Sequence, residues 1–219
     1  MNALRTFWLV PCVVVMTAAP ALCQSASTPP QRYMTGALGA SFNAQTAAAF
    51  AIELGESLNR RVQAYTAFTF FDDLMSTGAR DNLAALGPAI SRATGAEWQL
   101  HGRDRGLAFS GGAKYLISEG SSVRPYIGGG PGGLNIRRSI SERTLGDVTD
   151  AVVLAFGAPD GMIDPAKVST FKPMAEVLAG VGITTGRTYV DIGYRFRKVF
   201  RSTESFNFSQ LSVGVGMRF

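Results

Sequence analysis

The chain is poor in the residues that most enzyme and metal chemistry needs. It holds two cysteines and one histidine in 219 residues. Both cysteines, Cys12 and Cys23, lie in the first 23 residues. Without that segment the chain can form no disulfide and offers no thiol nucleophile. Any Ser-His-Asp arrangement would have to use His101. Asp104 is near it in sequence, but no serine is marked as its nucleophile, and His101 reads as an ordinary loop residue. A metal site with one histidine and no cysteine would need clustered carboxylates. Asp72, Asp73, Asp147, Asp150, Asp160 and Asp164 are the candidates, for weak calcium binding, and they read more simply as solvated loop acids. No catalytic residue, metal or cofactor is therefore expected.

Charge is also scarce, with 17% of residues ionisable as Asp, Glu, Lys or Arg, against roughly 25% in ordinary soluble domains. Beyond the N-terminus the longest apolar run is residues 151–158. That is far short of the ~18 apolar residues of a spanning helix, so a helical membrane protein is not expected.

The N-terminus reads as a secretory signal peptide over 1–23. Arg5 supplies the positive region, residues 7–16 are apolar apart from Pro11, and small residues follow. Cleavage is expected after Ala21-Leu22-Cys23, with Ala19-Pro20-Ala21 as the alternative. Two other readings of this segment are an uncleaved anchor and lipidation at Cys23. Loss of 1–23 removes Arg5 alone among the charged residues, leaving 20 basic against 16 acidic side chains. That modest excess does not argue for nucleic acid. Residues 24–32, polar and with two prolines, read as a flexible leader.

What remains, 33–219, is rich in period-two alternation. Leu211, Val213, Val215, Met217 and Phe219 alternate with Gln210, Ser212, Gly214, Gly216 and Arg218. Val190, Ile192, Tyr194 and Phe196 alternate with Asp191, Gly193, Arg195 and Arg197. In a strand these sets face opposite sides of the sheet. Eight strands are expected, near 33–43, 50–58, 61–71, 105–117, 123–136, 173–183, 188–198 and 206–219. Most match the ~9–11 residues of a tilted transmembrane strand rather than the 5–6 of soluble sheets. A ten-stranded reading would have to draw on 147–158, which lacks clear alternation. Connections 72–104 and 137–172 are long and each should hold a short helix. Those at 59–60, 118–122 and 184–187 are short. In an up-and-down barrel this puts long connections on one rim and short turns on the other, as in outer-membrane barrels.

Alternation alone does not separate a membrane barrel from a soluble lipocalin-like one, so the polar face decides. It carries Glu53, Lys114, Asp191, Arg195 and Arg197 among glycines, serines and alanines. A narrow lumen needs small residues beside bulky charges, whereas a solvated outer face gains nothing from Gly112, Gly193, Gly214 and Gly216. The five charges are therefore expected inside the barrel. Tyr33, Phe71, Phe206 and Phe219, near strand ends, are expected in interfacial girdles. Gly128, Gly130 and Gly133 fit the spacing G-x-G-x-x-G, but Pro131 interrupts them and a strand continues, which excludes a dinucleotide site.

The string LSVGVGMRF, ending on Phe219, resembles the closing strand of bacterial outer-membrane β-barrels. RPYIGGGPGGLNI (124–136) and VDIGYRFRKVF (190–200) are similar to strands of the OmpA/OmpX-like small barrels. The resemblance spans about 33–219. It implies an all-β, closed, antiparallel, up-and-down transmembrane barrel in a bacterial outer membrane, with Phe219 as the signal read by the barrel-assembly machinery. Barrel-type lipid A deacylases resemble the same fold and use a membrane-facing histidine and serine on a late strand, a pattern the last two strands lack.

Eleven of the 20 basic residues outside the signal segment lie in or beside the long-connection rim. Arg103, Arg105, Arg137, Arg138, Arg143, Lys198 and Arg201 are candidate contacts for lipopolysaccharide phosphates, which suit the bidentate fork of arginine. The competing explanation is that long loops collect charge because they are wet. The expected function is a non-enzymatic, monomeric outer-membrane barrel serving integrity or surface interaction. The alternatives are a small channel or a lipid-modifying enzyme.

Overall fold

The computed structural model describes residues 31–42, 46–118, 121–156, 169–200 and 205–219. Residues 1–30, where the signal peptide and most of the leader are expected, and Asp160, Asp164 and Arg201 lie outside them. Nine strands run in chain order: β1 (Arg32–Phe42), β2 (Thr46–Ser57), β3 (Val62–Phe71), β4 (Leu100–Leu116), β5 (Val123–Glu142), the two-residue β6 (Gly146–Asp147), β7 (Ser169–Thr185), β8 (Thr188–Val199) and β9 (Phe206–Arg218). Helix α1 (Thr77–Thr94) sits between β3 and β4, and α2 (Thr149–Phe156) follows β6.

Apart from β6, every strand pairs antiparallel with its neighbours along the chain. The ring closes through β1 and β9, from Tyr33 opposite Arg218 to Phe42 opposite Ser209. The architecture is an all-β, closed, antiparallel eight-stranded barrel with two short helices in its long connections. Closure leaves no unpaired edge among the barrel strands, the condition a sheet must meet to sit in lipid.

Burial is inverted relative to a soluble protein. Outward positions are large and apolar, with Leu38 at 70% exposure and Val177 at 63%, while Lys114 and Arg197 are at 0%. The alternation of β9 divides as its sequence implies: Leu211, Val213, Val215 and Met217 outward, Gln210 and Ser212 inward.

The lumen is layered. Near the short-turn rim Tyr33, Tyr65, Tyr126 and Tyr189 point inward. Tyr33 lies over Gly55, which faces it across the β1–β2 ladder, and Tyr126 lies over Gly180 in the same relation. A Cβ would meet the Tyr33 ring at 2.3 Å from Gly55 and the Tyr126 hydroxyl at 2.4 Å from Gly180, so glycine makes the seat for each tyrosine. A charged layer follows. Beyond it lies an apolar plug of Phe71, Leu74, Leu134, Ile136, Met174, Val199 and Phe208. Above Asp104 and Arg138, a second apolar cluster joins Met75, Ala79 and Leu83 to Ile140 and Val152. This last cluster seats α1 and α2 on the inner side of the barrel wall.

α1 is fixed at both ends. The Ser76 hydroxyl accepts from the Ala79 amide at 3.2 Å, and Gly95, at φ 72°, donates its amide to the Ser91 carbonyl. The positive φ is what calls for glycine there. Strands β4, β5 and β7 run 17, 20 and 17 residues, well past the ~10 that span a bilayer. The excess stands on the outer rim, so residues 100–104, 137–142 and 169–172, expected in connections, belong to strands. The aromatic girdle needs a correction. Tyr33 and Phe71 are buried in the lumen and Phe206 packs against the plug, whereas Phe219 is exposed.

Candidate functional site

The charged layer is built by residues that alternation turns inward from β2, β4, β7 and β8. Glu53 accepts from Lys114, Arg195 and, at 2.8 Å, the Tyr33 hydroxyl. Arg195 also donates to Glu176 at 3.0 Å, and Arg197 pairs with the other oxygen of Glu176 at 2.7 Å. Tyr65 and Ser110 donate to Glu176 at 2.9 and 3.1 Å. Arg197 reaches Gln210 at 2.6 Å and Thr69 at 3.2 Å, with its guanidinium over the rings of Phe71 and Phe208. Lys114 stands over three tyrosine rings, 4.5 Å from the centre of Tyr126. Asp191 accepts from Tyr126 and Tyr189 at 3.0 and 3.1 Å. Three acids, Glu53, Glu176 and Asp191, thus balance three bases, Lys114, Arg195 and Arg197. Buried charges persist only when paired and hydrogen bonded in this way.

The five charges expected inside are all buried there. Glu176 completes the network and escaped the sequence reading. Its strand shares the inward face with Met174 and Leu178, so alternation did not mark that face as polar. A lone acid between Ala175 and Val177 in a strand of known phase was the available signal.

The residues considered for phosphate contact do not form one site. Arg138 is buried, forking onto Asp104 through Nε and Nη2, both at 2.7 Å. Alternation along β5 sends it inward while Arg137 goes out. Arg103 is exposed and paired with Asp72 at 3.3 Å. Arg105 and Arg137 are exposed and stand directly opposite each other across β4 and β5. Arg143 is exposed at the β5–β6 tip, and Lys198 is exposed on β8 beside Phe200. A recess of about 710 Å³ opens next to the Arg105–Arg137 pair, bounded also by Ser139, Asp147, Thr149 and Asp150. Asp147 accepts from the Thr149 hydroxyl and backbone amide, which holds its carboxyl below the usual range. Attraction to Arg137 acts in the same direction.

His101 faces Ser141 across the β4–β5 ladder. The Ser141 hydroxyl donates to the His101 backbone carbonyl at 3.5 Å, and both residues are exposed. Asp72 and Asp73 are engaged by Arg103 and Arg80, and no cluster of metal ligands exists among the described residues. Gly128 and Gly130 lie in mid-strand, where a Cβ would meet carbonyl oxygens of β4 at 2.3 and 2.1 Å. They permit close approach of two strands, at the point where Pro131 offers no amide to the ladder. At the chain end, Phe219 is 74% exposed, and its backbone exchanges hydrogen bonds with Arg32 at 3.0 and 3.1 Å.

No protein-family model matches the sequence, and no curated protein resembles it at the sequence level. Solved structures do resemble it. The N-terminal β-barrel domain of Pseudomonas aeruginosa OprF superposes with a TM-score of 0.53 at 14% identity, over 86% of this chain and 97% of that one. Ail, the attachment invasion locus protein of Yersinia pestis, gives 0.49 at 12% identity, over 87% and 98%. Neisserial surface protein A gives 0.46 at 14%, over 87% and 96%. The chain has the OmpA/OmpX-like fold of small eight-stranded outer-membrane β-barrels.

Proposed function

We propose that this chain is a non-enzymatic outer-membrane protein with a closed lumen, acting through its lipid-facing wall and its long outer connections in membrane integrity or surface interaction. One observation carries the reading. Lysine and arginine are sealed inside the barrel while leucine, valine and phenylalanine cover its outside, the arrangement that lipid stabilises and water opposes. A small eight-stranded lumen is about filled by its own side chains. Here the charged layer and the apolar plug supply that filling, which favours a wall over a channel.

The test is electrophoresis of the outer-membrane fraction in mild detergent, with and without boiling. A heat-dependent shift in that fraction is expected. Recovery from the soluble periplasm with no shift would overturn the assignment.

Two partners follow from this placement. Phe219, exposed at the end of the closing strand, would be read by the barrel-assembly machinery, and Phe219→Ala should slow insertion. Arg105 and Arg137, with Arg103, Arg143 and Lys198 on the same rim, would hold lipopolysaccharide phosphates. The double variant Arg105→Glu/Arg137→Glu should retain less lipopolysaccharide through purification, and unchanged retention would refute that contact.

A further inference from the structure

The basic residues of the barrel fall in three places, and the third is the rim opposite the long connections. Lys114, Arg195 and Arg197 form the lumen layer, and eleven others, buried Arg138 among them, belong by sequence to the long-connection side. The remaining six are Arg32, Arg60, Arg61, Arg124, Arg187 and Arg218. They occupy the first residue of β1, the β2–β3 turn, the start of β5, the β7–β8 turn and the last residue of β9. Every hairpin on this rim, and both ends of the barrel, contributes at least one. None is lysine. Two acids share the rim in sequence, Glu56, paired with Arg32 at 3.3 Å, and Glu119, outside the described residues. Counted over side chains from the sequence, the excess is four positive charges.

The excess is most concentrated on the β5, β8 and β9 side. The Arg218 amide donates to the Arg187 carbonyl at 2.8 Å, and Arg218 lies within electrostatic reach of Arg124. Asp191, the acid nearest in sequence to Arg187, is turned into the lumen and held by two tyrosines. Arg60, Arg61 and Arg187 are exposed in the turns, while Arg124 and Arg218 take the inward phase of their strands and are half-buried, the Arg218 guanidinium 5.3 Å from the centre of the Tyr189 ring. The chain neighbours of these two, Val123, Met217 and Phe219, are exposed and apolar, so the lipid-facing belt reaches this rim. Arg61 donates to the hydroxyl of outward-facing Tyr115 at 3.1 Å, a residue type that favours the headgroup level. Like charges so arranged repel one another unless anions stand between them.

We infer that the short-turn rim is a binding surface for anionic phospholipid headgroups of the adjoining leaflet, its arginines forking onto the phosphates. The charge ring lies where such phosphates would be, at the edge of the apolar belt, and every residue in it carries the planar fork that phosphate recognition uses. The inference rests on the membrane placement proposed above.

The test uses native mass spectrometry of the full-length folded protein in detergent. Phosphatidylglycerol and phosphatidylcholine of matched chains are supplied in equal amounts. Phosphatidylglycerol should be retained preferentially, and Arg124→Gln/Arg187→Gln/Arg218→Gln should reduce that preference by roughly fivefold per arginine. Should the triple variant fail to fold, Arg60→Gln/Arg187→Gln, two exposed turn residues, serves the same purpose. Arg105→Gln/Arg137→Gln on the other rim should leave the preference intact. A heat-dependent gel shift is checked for each protein. Absence of the shift in the unaltered protein would count against the barrel placement itself. A normal shift with equal retention of the two lipids, or a preference lost only with the outer-rim variant, would overturn the headgroup surface while leaving the barrel standing.

Discussion

Glu176→Gln should be the most damaging near-isosteric change in the barrel. The carboxylate at 176 accepts from Arg195, Tyr65 and Ser110 and forms an ion pair with Arg197. Arg195 keeps a second carboxylate, Glu53, when Glu176 is neutralised. Arg197 does not. Its remaining acceptors, Gln210 and Thr69, are uncharged, and its guanidinium is wholly buried between Phe71 and Phe208. Removing one member of such a buried pair costs about 3–5 kcal/mol, chiefly because the other charge is stranded. Equilibrium unfolding in urea, followed by the heat-dependent gel shift, should show that loss. A second variant isolates the cause. Glu176→Gln/Arg197→Met removes both charges and should recover most of the stability, since a neutral filling of similar volume is often as stable as the pair. As a reference, Glu56→Gln breaks only the exposed Arg32 pair and should cost at most ~1 kcal/mol. The reasoning fails if Glu176→Gln is no worse than Glu56→Gln, or if the double variant is no more stable than the single one.

Gly112→Ala should impair barrel formation, because its Cβ would meet the Gly129 carbonyl oxygen at 2.1 Å and backbone cannot yield. Gly78→Ala, with nothing within 4 Å and a place in α1, should instead stabilise by about 0.5–1 kcal/mol. Urea midpoints compare the two. In planar bilayers the folded protein should show no sustained ion conductance, and a stable open level would refute the closed lumen. At the tip of β5, the amides of Leu145 and Thr144 donate to Glu142 at 2.7 and 2.6 Å and hold its carboxyl below the usual range. Its folded pKa is depressed, so the ordering it gives the tip is complete above the ordinary carboxylate range and is lost as pH falls through the lowered value. Hydrogen-exchange protection at Thr144 and Leu145, taken relative to the intrinsic rate at each pH, should fall in that acid window, and Glu142→Gln should abolish this pH dependence of the protection.

Much of the barrel was legible because lipid and lumen impose opposite demands on successive residues. Within the bilayer that contrast fixed strand number and phase, and with phase came the inward direction of Glu53, Lys114, Asp191, Arg195 and Arg197. Outside the bilayer the contrast disappears. His101, Arg103 and Arg105 on β4, and Arg137, Ser139 and Ser141 on β5, face water on their outer side, so the strand extensions read as loop. The same extensions placed Asp104 opposite Arg138 and turned an expected rim arginine into half of a buried fork. The plug was hidden for a different reason. Phe71, Leu134, Met174 and Phe208 are apolar on the face that elsewhere is polar, and beside Leu134 and Phe208 the outward positions are Asn135, Asn207 and Ser209, so a pattern that takes the polar face as the inner one cannot assign them to the inside. The site chemistry was legible only where charge was rare enough to stand out.

The charged layer also acts as a check on strand register. Its members come from β2, β4, β7 and β8, and their neutral partners from β1, β3, β5 and β9, so every wall of the barrel contributes to one closed set of bonds. Consider β8 sliding by a single residue against its neighbours. Ile192, Tyr194 and Phe196 would turn into the lumen while Asp191, Arg195 and Arg197 turned to lipid, where each arginine near mid-membrane costs about 2–4 kcal/mol. The lumen would at the same time hold Glu176 without its cations and Glu53 with Lys114 alone. A misthreaded barrel is thus penalised on both faces at once, and the sequence carries its own proofreading of assembly in the one layer that lipid never touches.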